Sequence, residues 1–253
     1  GMGYPLVPGY ETVGRVVDAG PAAQALVGAR VFVPGANCYS DARGLFGGAA
    51  RRLVVPAARV IPVGELGVEA TLLSLAATAL HAMVGGATPD LIVGHGVLGR
   101  LIARLAVAAG GKPTVWEIDA ARMGGAAAYR VIHPGADDRT DYATIVDVSG
   151  DSALIDTLVG RLARGGEVVL AGFYQERLDF AFTPAFRREA RFRIAAEFRP
   201  EDLKAVGALV ADGVLNLDGL VTHLRAAEEA EDAYPQAFAD SQCLKMVLDW
   251  REC

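Results

Sequence analysis

Cysteine is scarce in this chain: among 253 residues only Cys38, Cys243 and Cys253 occur, with no CxxC spacing. That scarcity excludes a cysteine-rich zinc site and fits a reducing, cytoplasmic compartment. Long apolar runs are also lacking. The chain is 52% hydrophobic, yet no run reaches the roughly 18 residues of a membrane span. The longest candidate, Leu91 to Ala109, is interrupted by Gly94, His95, Gly96, Gly99, Arg100 and Arg104. Arg100 and Arg104 lie four apart and are expected to share the exposed face of a helix. Basic runs are missing too, and the net charge is −6, which argues against nucleic acid as a partner. There is no internal repeat, low-complexity tract or long linker, and no secretory signal is read at Gly1. What remains is an apolar-rich chain long enough for one large domain or two small ones.

The strongest signal lies between Asp90 and Asp119, DLIVGHGVLGRLIARLAVAAGGKPTVWEID. An apolar run leads into Gly94-x-Gly96-x-x-Gly99, then a helix-forming segment, then a second apolar run ending at Glu117. The order strand, glycine turn, helix, strand, acid is what a dinucleotide site requires. Glycines permit a tight turn and close backbone approach to a pyrophosphate. The helix N-terminus, at Val97 and Leu98, attracts phosphate charge, and the acid accepts ribose hydroxyls. Glu117 is therefore expected to bind both hydroxyls of an adenosine ribose and to repel a 2′-phosphate, selecting NAD. Arg122, further along, is a competing contact that offers charge to a phosphate.

Around this segment the pattern changes twice. Residues 1–63 are rich in Gly, Pro and Val with short apolar runs, which predicts a small β-barrel or sandwich. Residues 68–84 predict a helix. Strands are expected at 91–94, 114–117, 130–132, 144–148, 167–171 and 191–196, with helices at 98–109, 119–127 and 152–163. Six strands with intervening helices predict an α/β fold with a doubly wound parallel sheet of Rossmann type. A helix from Pro200 to about Ala211, a strand-like LNLDGLVTH, an acidic helix and a last strand complete the chain. The expected domains are 1–84, a partial β-rich catalytic domain with its connecting helix; 85–213, the dinucleotide-binding domain; and 214–253, a return to the first.

This layout resembles the medium-chain dehydrogenases/reductases. YPLVPGYETVGRVVDAG, GARVFVPG, SLAATALHAM and ARGGEVVLAGFY are similar to that family's motifs over almost the whole chain. VGHGVLGRLIARL, DRTDYATIVDVSG, GEVVLAGFY, FTPAFRREARFRIAAE and CLKMVLDW together resemble a branch that oxidises a hydroxyethyl group on a bacteriochlorophyllide to acetyl. The resemblance implies an NAD-dependent alcohol dehydrogenase with a GroES-like β domain, a bacteriochlorophyllide substrate, and a homodimer formed through the sixth Rossmann strand. It also assigns Ser149, Gly150, Gly172 and Phe173 to the cofactor. Family members begin with a longer β segment, so the chain is expected to be N-terminally truncated. Two rival readings stand beside this one: a zinc-free quinone-reductase-like enzyme with another lipophilic substrate, and an inactive cofactor-binding fragment.

The resemblance bears on metal as well. Zinc-dependent relatives carry a ligand His where this chain has Tyr10, and a second ligand where it has Ser74; neither is an expected zinc ligand. The clustered cysteines of the family's structural-zinc loop are missing around Cys38. A zinc-free mechanism is therefore expected, in which a side chain or a relay takes the alcohol proton. By carry-over the candidates are Tyr10, Glu11, Ser74 and Thr78, with Thr78 matching a family position beside the nicotinamide. Other residues carry open alternatives. His95 sits inside the glycine turn, where small residues are the rule; it either contacts the cofactor or is a surface-turn histidine. His81, His133 and His223 read as structural. The stretch Phe182 to Pro200 mixes aromatics with Arg187, Arg188, Arg191, Arg193 and Arg199. It reads as an edge strand after a solvated loop with its Phe residues in the core, or else as a contact surface for an aromatic carboxylate.

Overall fold

The computed structural model describes residues 3–126 and 128–251. Gly1, Cys253 and Ala127, the last within the expected 119–127 helix, lie outside the described residues. In chain order the elements are β1 (Leu6–Val7), β2 (Thr12–Arg15), β3 (Arg30–Val33), β4 (Arg43–Gly44), β5 (Ile61–Pro62), α1 (Leu73–Met83), β6 (Leu91–Val93), α2 (Val97–Ala108), β7 (Thr114–Trp116), β8 (Arg130–Ile132), β9 (Tyr142–Asp147), α3 (Ile155–Arg161), β10 (Leu162–Leu170), α4 (Phe182–Arg188), β11 (Arg191–Ile194), α5 (Pro200–Ala211), β12 (His223–Ala226), α6 (Ala230–Ala239) and β13 (Met246–Asp249). The chain divides into two units: residues 1–74 with 217–253, and residues 75–216. The division falls inside α1, at Ser74, whereas the whole connecting helix was expected with the first domain.

The second unit holds a six-stranded sheet in the order β11-β10-β9-β6-β7-β8, with every pairing parallel. Chain order reverses between β6 and β9, which makes their carboxyl ends the topological switch point. Leu91, Ile92, Ile145, Val146, Val168 and Val169 are all fully buried, as strands covered on both faces must be. Leu158 and Leu162 join them in the core; each such side chain contributes about 2 kcal/mol on burial. Asp137 braces this core. Its carboxylate accepts from Trp116 Nε1 at 2.6 Å, Tyr142 Oη at 2.7 Å and the Arg139 amide at 3.0 Å. Burial pushes its pKa up, but these three donors outweigh burial and hold it below the usual carboxylate range.

Three sequence expectations are corrected here. Among the described residues of 119–127 there is no α-helix: the one regular element is a 3-10 turn at Ala120–Arg122. Gly125 sits at φ +78°, and a Cβ there would lie 2.6 Å from Arg100 Nη1, so the loop wraps a side chain where a helix would need a continuous backbone ladder. Arg100 itself is 6% exposed, not on a solvent face. And the "solvated loop" before β11 is the helix α4, whose Phe182 and Phe186 are 71% and 68% exposed instead of in the core. Pro184 is compatible with α4 because it falls in the first turn, where no intrahelical N–H is needed.

In the first unit, β2, β3 and β5 form an antiparallel sheet around buried Phe32. β1 pairs with β4, and β12 with β13, both in parallel. The strand-like LNLDGLVTH does not form a strand before His223. Its Leu215, Leu217 and Leu220 are buried all the same, and Gly219 at φ +72° breaks the extended backbone.

Candidate active site

The glycine turn follows β6 at the switch point. Gly94 has φ +103°, a conformation that strains any side chain, and a Cβ on it would press within 3.4 Å of the Ser149 amide. At Gly99 a Cβ would lie 1.9 Å from the Gly94 carbonyl, so close helix–strand packing demands glycine. Gly96 differs: a Cβ there would meet nothing within 4 Å. The protein itself does not need that glycine, but a ligand lying over the turn would. No side chain caps α2 at Gly96, so the first-turn N–H groups at Val97 and Leu98 are left for an outside acceptor. The geometry fits a pyrophosphate.

Glu117 stands at the end of β7 and is 7% exposed. Its Oε2 accepts from the His95 amide at 3.0 Å, and its Oε1 from the Ile118 and Asp119 amides at 2.8 and 2.9 Å. A carboxylate has about four acceptor positions, so three are committed. His95 is fully buried, so its ring neither reaches out to a cofactor nor sits on a surface turn. Nδ1 lies 2.6 Å from the Arg122 carbonyl and Nε2 2.9 Å from Tyr129 Oη. Burial, more than any neighbour, pulls its pKa below the ordinary imidazole value.

Across the switch point the loops after β9 and β10 interlock. A Cβ on Gly150 would lie 3.0 Å from the Phe173 carbonyl, and one on Gly172 3.0 Å from the Gly150 amide. Phe173 projects its ring, 91% exposed. Asp147, not foreseen in the sequence, is fully buried; it accepts from the Ser149 amide at 2.9 Å and from Tyr174 Oη at 2.8 Å. Burial raises its pKa.

In the first unit Ser74 Oγ donates to the Tyr10 carbonyl at 3.2 Å. The Tyr10 ring stands edge-on to Phe46 at 5.1 Å. Glu11 Oε2 pairs with Lys245 Nζ. Its Oε1 is buried without a hydrogen-bond partner among the described residues. Burial raises the Glu11 pKa, against the opposing pull of Lys245. Sequence reasoning missed Lys245 because its partner is 234 positions away. Thr78 lies one turn beyond Ser74 on α1 and is half-buried. His81 pairs with Asp202 at 2.8 Å, His133 accepts from the Gly135 amide and His223 contacts Thr222.

A Rossmann sheet with a glycine turn at its switch point, joined to a small β unit that returns at the C-terminus, defines the class of dinucleotide-dependent alcohol dehydrogenases. Residues 1–65 match the family model described as the alcohol dehydrogenase GroES-like domain. The chain is 58% identical over 257 residues to the 2-desacetyl-2-hydroxyethyl bacteriochlorophyllide A dehydrogenase of Rhodobacter capsulatus, covering 100% of this chain and 82% of that one. It is equally similar, at 58% over 260 residues, to the protein of that name from Cereibacter sphaeroides, covering 99% of this chain and 82% of the other. Among solved structures it resembles a short chain alcohol dehydrogenase from E. coli CFT073 complexed with NADH, at 20% identity and a TM-score of 0.83, covering 98% and 85% of the two chains. The chain belongs to the medium-chain dehydrogenase/reductase family of oxidoreductases, where it groups with the two bacteriochlorophyllide dehydrogenases.

Proposed function

We propose that the chain oxidises the 1-hydroxyethyl group of a bacteriochlorophyllide to acetyl, with NAD as acceptor and without zinc. The observation that carries the dehydrogenase reading is the glycine turn whose second glycine, Gly96, faces open space. The substrate is supported by the names and the identity of the two relatives.

The alcohol carbon loses a hydride and its oxygen loses a proton; NAD, when bound, takes the hydride and both of its electrons. Gly94, Gly96 and Gly99 would admit the pyrophosphate, and the Val97 and Leu98 amides would hold it. Glu117 accepts one ribose hydroxyl, and Arg122, Ser149, Gly150, Gly172 and Phe173 complete the cofactor contacts. The proton goes to Glu11, whose Oε1 has an acceptor position open while Lys245 holds Oε2. Tyr10, Ser74 and Thr78 orient the alcohol. Two copies pair through β11.

Purified protein titrated with NAD and NADP, then assayed with a hydroxyethyl bacteriochlorophyllide before and after chelation, tests this. Tighter NADP binding, or stoichiometric zinc lost together with activity, overturns the reading.

A further inference from the structure

We propose that His95 is a positioning residue for the adenosine-ribose end of the dinucleotide site, tying the glycine turn to the loop that carries Glu117 and Arg122. This rests on the cofactor reading above. Imidazole is an odd occupant of a turn built from glycines, and here it is buried with every polar atom engaged. A carbonyl oxygen only accepts, so the 2.6 Å contact with the Arg122 carbonyl requires a hydrogen on Nδ1. Nε2 then accepts the Tyr129 hydroxyl at 2.9 Å, and the Tyr129 ring stands edge-on at 5.6 Å. One neutral tautomer satisfies both partners.

The ring does not act alone. Arg100 sends Nη2 to the same Arg122 carbonyl at 2.8 Å and Nε to the His95 carbonyl at 3.0 Å. Glu117 holds the His95 amide. Turn and loop are thereby one closed hydrogen-bonded unit. The loop has no helix to stiffen it: Arg122 ends a single 3-10 turn, and Gly125 beyond it is at φ +78°. Holding the Arg122 carbonyl from inside fixes where the rim residues stand, including Ile118, 76% exposed beside Glu117. A ligand meeting a loop already ordered does not lose free energy to ordering it.

The test titrates the full chain with ADP-ribose, which carries the adenosine end, and separately with nicotinamide mononucleotide, which does not. His95→Leu should raise the ADP-ribose Kd about tenfold while the mononucleotide Kd stays within about twofold. His95→Gln keeps a donor and an acceptor and should recover most of the loss. An unchanged ADP-ribose Kd in folded His95→Leu, equal weakening of both ligands, or no recovery in His95→Gln overturns the proposal. Should His95→Leu fail to fold, Tyr129→Phe, which removes one hydroxyl, decides: an ADP-ribose Kd like the wild type's overturns it. Wild-type protein that binds neither ligand overturns the cofactor reading, and this one with it.

Discussion

At the scale of single residues, Gly96 and Gly99 separate what the fold needs from what a ligand needs. Gly99→Ala drives a methyl into the Gly94 carbonyl, 1.9 Å away, and should cost about 1–3 kcal/mol of stability. Gly96→Ala meets nothing within 4 Å. It should leave stability within about 1 kcal/mol and still raise the NAD Kd about tenfold or more. Thermal melts beside nucleotide titrations check the pair; equal melting losses would refute the division. The motif's existence was legible in the sequence, but which glycine serves packing and which serves ligand was not, because that depends on what each missing Cβ would touch. Glu11 carries a pH prediction. Its pKa is raised from 4.5 by burial, so it stays protonated to higher pH and accepts a proton only above the ordinary carboxylate range. The acid limb of kcat/KM should therefore lie above 4.5. Glu11→Gln should remove that limb and lower kcat by about a hundredfold or more. A limb that persists in Glu11→Gln would assign the proton elsewhere. For stability the sign is opposite: the folded state keeps a proton the unfolded chain has released, so this contribution is present below pH 4.5 and lost as pH rises through the raised value.

At the scale of elements, the strands and α2 were legible and the connections were not. Parallel strands buried on both faces read as unbroken apolar runs, so β6, β7 and β9 announce themselves locally. Residues 119–127 have helical composition, but the Arg122 carbonyl is taken by His95 and Arg100, which denies it to the amide four residues on. α4 was missed for the converse reason: seven residues containing a proline look like a loop, yet Glu189 at φ +48° closes a short helix properly. Asp137 links β7 to β9 through Trp116 and Tyr142, and burial with this hydrogen bond pushes the Tyr142 pKa up to about 12. Asp137→Ala takes the acceptor from the buried Trp116 Nε1 and one of two side-chain partners from Tyr142 Oη, the other being Thr114, and should cost about 3 kcal/mol, near 10 °C in Tm. A loss under about 1 kcal/mol in denaturant unfolding would show that the brace is dispensable.

At the scale of the whole molecule, the open question is what covers the edge of the sheet. Among the described residues β11 has one strand neighbour, β10, and Ile194 at its end is 78% exposed. An exposed edge carrying apolar side chains invites another strand. If β11 pairs with its twin, Ile194→Asp should shift sedimentation from dimer toward monomer without lowering NAD affinity; a wild type that sediments as a monomer would sink the pairing. The sequence by itself determined the α/β class, the six strand positions along the chain and the place of the glycine turn, because each is written in local periodicity and spacing. Only the tertiary structure decided that His95 and Arg100 are buried, that Glu117 accepts from three backbone amides, and that Lys245 meets Glu11. Those facts depend on which distant groups compete for each hydrogen bond, and partners separated by up to 234 positions leave no trace in any local pattern.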